Sequence, residues 1–215
     1  SGTSRSPYLL CAFLGLGGLV AGATGPLLSN FVPLLVEGEL GDRRTAIGAV
    51  MAIDNVLLLL LVPWAGALSD RASAQGRGRR RIVVSGLGLA ALGTALLPAA
   101  VPFGISGLIA AIVVLHTGLN LQRSPFQALM ADLVPSRHRP LAGGSVTLQM
   151  CVGAIVFLML GNVLGMRPAF YLAAGTVLSV ALAYAFRLDE PAVAATDARE
   201  ASVSSLFDAT TFALR

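Results

Sequence analysis

With 55% apolar and only 12% charged residues over 215 positions, and a mean hydropathy of +0.79, this chain is too apolar for an ordinary soluble domain. The net charge of +4 comes from fifteen arginines and no lysine against eleven acidic residues, and most of the arginines sit at the ends of apolar stretches. That placement speaks for membrane topology and against nucleic-acid binding.

A bilayer-spanning helix needs roughly 20 mostly apolar residues. Six stretches qualify, at about 7–36, 46–68, 82–102, 105–130, 141–164 and 168–186. Lipid offers backbone groups no partners, so all six are expected to be helices. The expected fold is an all-α, polytopic membrane bundle over 1–186, followed by a polar cytoplasmic linker or tail over 187–215. The first stretch is too long for a signal-peptide core and lacks a small-residue cleavage site, so an uncleaved first span is expected. Cys11 and Cys151 fall inside spans and are expected to be free, buried thiols.

In span one, Gly15, Gly17, Gly18 and Gly22 form a small-residue face suited to close helix packing. Asn30, Phe31 and Pro33 lie in its outer half. Span two carries Asp54 and Asn55, then Pro63, Trp64 and Gly66. Span four carries His116, Asn120, Gln122, Arg123, Pro125 and Phe126. Charge inside a membrane is costly, so Asp54 and Arg123 are candidate functional residues. Asp54 can take up and release a proton, while Arg123 and Asn120, sharing a helix face at i, i+3, can donate to a polar solute. Phe31, Trp64 and Phe126 are the candidate aromatic walls of a solute path, with Asn30 as a polar one. His116 and His138 read more readily as structural residues.

Loop charges set the orientation. Arg5, Arg71, Arg77, Arg79, Arg80, Arg81, Arg137, Arg139 and Arg187 fall on one side, and Arg43, Arg44 and Arg167 on the other. The positive-inside rule places both termini in the cytoplasm, as expected of a multi-pass protein of the cell inner (plasma) membrane. Spans two and five both end in a glycine followed by an arginine, Gly66 to Arg71 and Gly161 to Arg167, a faint echo of a three-plus-three inverted repeat.

The string Gly66-Ala67-Leu68-Ser69-Asp70-Arg71, followed by Gly76 and Arg77 to Arg81, resembles the signature loop of the major facilitator superfamily. Asp54-Asn55 with Pro63 and Gly66, and Asn120-Leu121-Gln122-Arg123-Ser124-Pro125 with Ala131-Asp132 and Arg139, resemble spans two and four of the sucrose/proton symporters. Glycoside–cation symporters share that layout. The resemblance covers residues 8–215 and implies a proton-coupled sugar carrier. In it, Asp54, Asn55, Asn120 and Arg123 belong to the cavity, and Gly66, Asp70, Arg71, Arg79, Arg80, Asp132 and Arg139 to the cytoplasmic gate. Such carriers have two six-helix halves, and this sequence matches the N-terminal one. It is therefore expected to be part of a longer protein or a half-size one that pairs with a second half or copy. A non-transporting assembly partner, or a carrier for a drug or peptide, is the alternative. No nucleophile–base pair or metal-ligand cluster stands out, so neither catalysis nor a cofactor is expected.

Overall fold

The computed structural model describes residues 6–41, 43–75 and 78–188. Arg5, Arg77 and the tail from residue 189 on lie outside the described residues. The described chain is helical nearly throughout: α1 (Pro7–Asn30), α2 (Val32–Leu40), α3 (Arg44–Met51), α4 (Ile53–Ala74), α5 (Arg80–Ala100), α6 (Gly104–Leu133), α7 (Arg139–Leu164) and α8 (Met166–Arg187). Single 3₁₀ turns sit at Val101–Phe103 and Ser136–His138.

Neither α1/α2 nor α3/α4 is fully broken at its junction. Phe31 N–H reaches Leu27 O at 2.9 Å, Leu35 N–H reaches Phe31 O at 3.1 Å, and Val56 N–H reaches Ala52 O at 3.3 Å. The first two crossings therefore run 7–40 and 44–74, longer than hydropathy alone suggests. A helical ladder satisfies its own backbone and can continue into polar residues beyond the lipid.

Five described segments are long and apolar enough to cross a membrane, and one of them, Arg80–Leu133, has 54 residues. At 1.5 Å per residue a straight helix of that length would reach about 80 Å, far beyond a hydrocarbon core of about 30 Å. It turns back instead at Gly104, whose φ of +66° suits glycine and few other residues. Its arms α5 and α6 pack as an antiparallel pair, with Gly86 against Gln122, Gly93 against Leu115 and Gly107 against Ala100. Spans five and six are separated only by Gly165, φ +86°, because Met166 and Arg167 already belong to α8.

Contacts fix the relative directions. Gly18 meets Val146 and Gly22 meets Met150, so α1 and α7 are parallel. Asp54 meets His116 and Gly66 meets Ser124, so α4 and α6 are parallel. Tyr184 hydrogen-bonds Leu14 O at 2.9 Å and Arg80 hydrogen-bonds Leu188 O at 2.7 Å, so α8 opposes both α1 and α5. This is the alternation that successive membrane crossings require. The principal pairs α1·α7, α4·α6, α5·α6, α1·α8 and α5·α8 also map onto one another when crossings one, two and three are exchanged for four, five and six. That is the contact topology of a three-plus-three repeat.

The core lies where α1, α5, α6 and α8 meet, around Leu14, Leu27, Leu87, Leu115, Phe170 and Tyr184. Large apolar residues left exposed, such as Leu59, Leu60, Ile155, Met159 and Phe186, suit lipid rather than water. Cys11 is buried, but Cys151 is exposed on α7, because position along a span does not say which way a side chain faces. Among the described residues, Arg71, Arg79, Arg80, Arg81, Arg137, Arg139 and Arg187 gather at one end of the bundle, and Arg43, Arg44 and Arg167 at the other.

Candidate functional site

Four polar residues of α6 recur as His116, Asn120, Arg123 and Gln127, spaced i, i+4, i+7 and i+11. At 3.6 residues per turn they form one stripe. The stripe faces a cavity of about 670 Å³ that all four residues line. The remaining walls come from α1 and α2 (Thr24, Ser29, Val32), from α3 and α4 (Met51, Asp54) and from α7 (Val146, Thr147). Crossings three and six, α5 and α8, supply no lining residue and stand behind the others.

Asp54, in the first turn of α4, is the carboxylate of this cavity. His116 Nδ1 lies 2.7 Å from its Oδ1, with the His116 side chain 13% exposed and that of Asp54 40% exposed. Asn120 Nδ2 donates to the same oxygen at 3.4 Å, the long end of hydrogen-bond range. Asn120 is buried at 3% exposure. One oxygen thus receives two donors from successive turns of α6, while the side chain as a whole remains partly exposed. His116, which the sequence gives little weight when taken alone, is the nearest partner of Asp54. Arg123 lines the same space, and among the described residues it makes no hydrogen bond or ion pair.

The aromatic and amide candidates separate. Phe126 is in the wall, stacked on Tyr184 with ring centroids 6.0 Å apart. Phe31 instead covers Gly161 of α7, whose missing Cβ would fall 2.6 Å from its ring. Asn30 donates to Pro26 O at 2.8 Å within its own helix. Trp64 is 57% exposed on the outside of the bundle. Asn55 is exposed beside Asp54, because adjacent residues on a helix point about 100° apart. None of these four lines the cavity.

At the arginine-rich end, Arg79 precedes α5 and reaches both neighbouring helices. Its Nη1 is 3.1 Å from Asp70 Oδ1 in the last turns of α4, and its Nε is 3.2 Å from Asp132 Oδ2 at the end of α6. The Nε contact lies off the hydrogen-bonding direction, so it is an ion pair rather than a directed bond. Two carboxylates at helix C-termini are unfavourable for the helix dipoles, and this cation compensates both. Arg139 donates to Ala131 O at 3.0 Å and Val134 O at 3.4 Å, closing the end of α6. Arg80 ties the end of α8 through Leu188 O, Arg71 is exposed, and Gly66 gives Ser124 room to approach α4.

The sequence model of the Major Facilitator Superfamily matches residues 7–215. The chain belongs to that superfamily. Among curated relatives, this facilitator chain is 29% identical over 175 residues to the multidrug resistance protein MdtG of Serratia proteamaculans, covering 76% of this chain and 40% of that protein. It is 28% identical over 157 residues to the magnetosome protein MamZ of Magnetospirillum gryphiswaldense, covering 68% of this chain and 22% of that protein. The facilitator chain therefore spans less than half the length of these relatives.

Facilitator membership leaves the seam between α1 and α7 to be explained by residues outside the signature loop. Gln149 of α7 donates to Ala12 O of α1 at 2.8 Å and also approaches Ser145. Gly15 makes room for both side chains. A glutamine amide bonded across two membrane helices helps to fix their packing, at a worth of about 0.6–2 kcal/mol. Neither Gln149 nor Ser145 was singled out by the sequence, where they look like ordinary interruptions of an apolar run.

Proposed function

We propose that this chain is the N-terminal six-helix unit of a proton-coupled solute transporter working by alternating access. The supporting observation is the Asp54 carboxylate, held by His116 and Asn120 and open to a cavity walled by membrane helices. A proton would be taken up at the Asp54–His116 pair. The cargo would be a small polar solute along the α6 stripe, a sugar being the class implied by the likeness of spans two and four to sucrose/proton symporters. A second six-helix unit would cover the open side of the cavity, so that the two units rock around a shared midplane site. The arginine-rich end would face the cytoplasm of the inner (plasma) membrane, with Arg79, Asp70 and Asp132 as its gate.

A second reading has its own support. Met51, Met130 and Met150 line the cavity beside Leu28, Ile112 and Leu119. Thioethers adapt to varied apolar shapes and recur on promiscuous binding surfaces. A multidrug resistance protein is among the relatives.

Full-length protein in proteoliposomes carrying an internal pH dye tests both. Inward sucrose should acidify the lumen, and Asp54→Asn should abolish that signal while the protein remains folded. Proton-driven ethidium movement without a sucrose response would favour the second reading. No solute-coupled proton movement with either compound, or full activity in Asp54→Asn, would sink the proton-coupled assignment.

A further inference from the structure

The ionisable residues in the cavity wall are Asp54, His116 and Arg123, and they occupy two levels. Asp54 is engaged at the level of His116 and Asn120. Arg123 lies seven residues beyond His116 on the same stripe, about 10 Å along the helix at 1.5 Å per residue. Among the described residues it reaches no carboxylate and donates to no neutral partner. Asp54 is therefore the counter-charge of His116, and Arg123 holds a separate cationic level with Gln127 one turn further on.

We propose that Arg123 receives an anionic group of the cargo, so that the carried solute is an organic monoanion moving together with a proton. The inference rests on the transport reading above and sharpens its substrate class from polar solute to acidic solute. The argument is one of charge. Within this unit the cavity wall offers one carboxylate, Asp54, engaged by His116 and Asn120, and one guanidinium, Arg123, with no counter-charge of its own. A proton entering the Asp54–His116 pair stays at that level and leaves Arg123 the cation of this wall without a partner. A bound carboxylate or phosphonate on Arg123 would leave both ionic centres of this wall paired. A neutral sugar would leave the guanidinium uncompensated through the crossing, which is costly at the middle of a membrane. Guanidinium also has the planar fork that fits a carboxylate with two parallel hydrogen bonds. The stripe and the apolar wall leave the body of the solute open: hydroxylated, as in a sugar acid, or apolar, as in an aromatic acid.

Two matched pairs of probes separate charge from body: glucuronate with glucose, and benzenesulfonate with benzenesulfonamide. Thermal stabilisation of full-length protein in detergent reports binding without requiring transport. The anion of at least one pair should bind about 10- to 100-fold more tightly than its neutral partner. Arg123→Gln should bring that ratio close to one, and Arg123→Lys should keep part of it, since the charge remains but the fork is lost. In proteoliposomes clamped with valinomycin and potassium, proton uptake with the preferred anion should not vary with membrane potential, because one proton and one monoanion carry no net charge.

Equal binding of anion and neutral partner in both pairs would overturn the proposal, as would an unchanged ratio in Arg123→Gln. Potential-driven uptake of glucose or sucrose, with anions inert, would overturn it while leaving proton-coupled transport standing. Anion-selective binding through Arg123 with no proton movement for any probe would uphold the anion site and overturn the transport reading instead.

Discussion

Gly18→Ala tests the tightest glycine contact among the described residues. The added carbon would fall against the carbonyl oxygen of Val146, 2.7 Å from its carbonyl carbon and 3.0 Å from its Cα. Carbon atoms sit comfortably at about 3.5–4.0 Å, so α1 and α7 would have to part by about 1 Å along this seam. Neither atom can swing aside, since both belong to the backbone of a helix. Overpacking of this kind costs about 1–3 kcal/mol, against about 0.5–1 kcal/mol gained by removing a glycine from a helix interior. The expected net loss is about 1–2 kcal/mol, or a drop of several degrees at about 2–4 °C per kcal/mol for a unit of this size. Gly25→Ala is the internal control, being in the same helix with nothing within 4 Å of the new carbon. It should melt at the parental temperature or slightly above. Fluorescence-detected size exclusion of heated, detergent-purified full-length protein measures both. If Gly18→Ala melted with Gly25→Ala, backbone-to-backbone packing of α1 on α7 would be refuted.

Further substitutions probe two other ties. Tyr184→Phe keeps the ring edge-on to Phe13 and stacked on Phe126 but removes the donor to Leu14 O, leaving a carbonyl short of a partner; about 1 kcal/mol and a fall of about 2–4 °C are expected, and an unchanged melt would mean that the hydroxyl does not hold α8 to α1. Arg79→Gln and the pair Asp70→Asn with Asp132→Asn should each destabilise, but combining all three should cost much less than the sum, since the three groups form one network. Additive losses in that cycle would separate Arg79 from the two carboxylates.

The crossings were legible because hydropathy depends on composition and not on packing. Even the hairpin at Gly104 was visible as a break between two apolar runs, although only the structure gives it a left-handed glycine. Facing was not legible. These helices are apolar on most sides, so the contrast that orients an amphipathic helix in water is missing. Phe31 and Trp64 were therefore placed correctly along their spans, while the structure turns one onto Gly161 and the other to the outside. The spacing of His116, Asn120, Arg123 and Gln127 was a usable signal, since four polar residues in register mark one face of α6. Taken singly, His116 has no such register, and its meeting with Asp54 joins positions far apart in sequence. Arg79 is the same case: its loop motif is local, but its ion pair with Asp132 depends on how α4, α5 and α6 come together.

Burial also differs between helices in a way that bears on motion. Of the 22 residues in α4 only Ala65 and Ser69 are buried, whereas α1 buries nine of its 24. In lipid, apolar side chains gain nothing by leaving the solvent for a neighbouring helix, so small-residue packing and polar contacts must hold a crossing in place. For α4 these are the approach of Gly66 to Ser124, the bonds from His116 and Asn120 to Asp54, and the cation Arg79 at Asp70. The first two engage α6 directly, and the third reaches α6 through Asp132. A proton entering the Asp54–His116 pair would change the tie at one end of α4 and leave the other end fastened. Under the transport reading, this gives proton uptake a mechanical consequence in the most lightly held wall of the cavity. It requires no movement of the α1–α7 seam, where Gly18 leaves no slack.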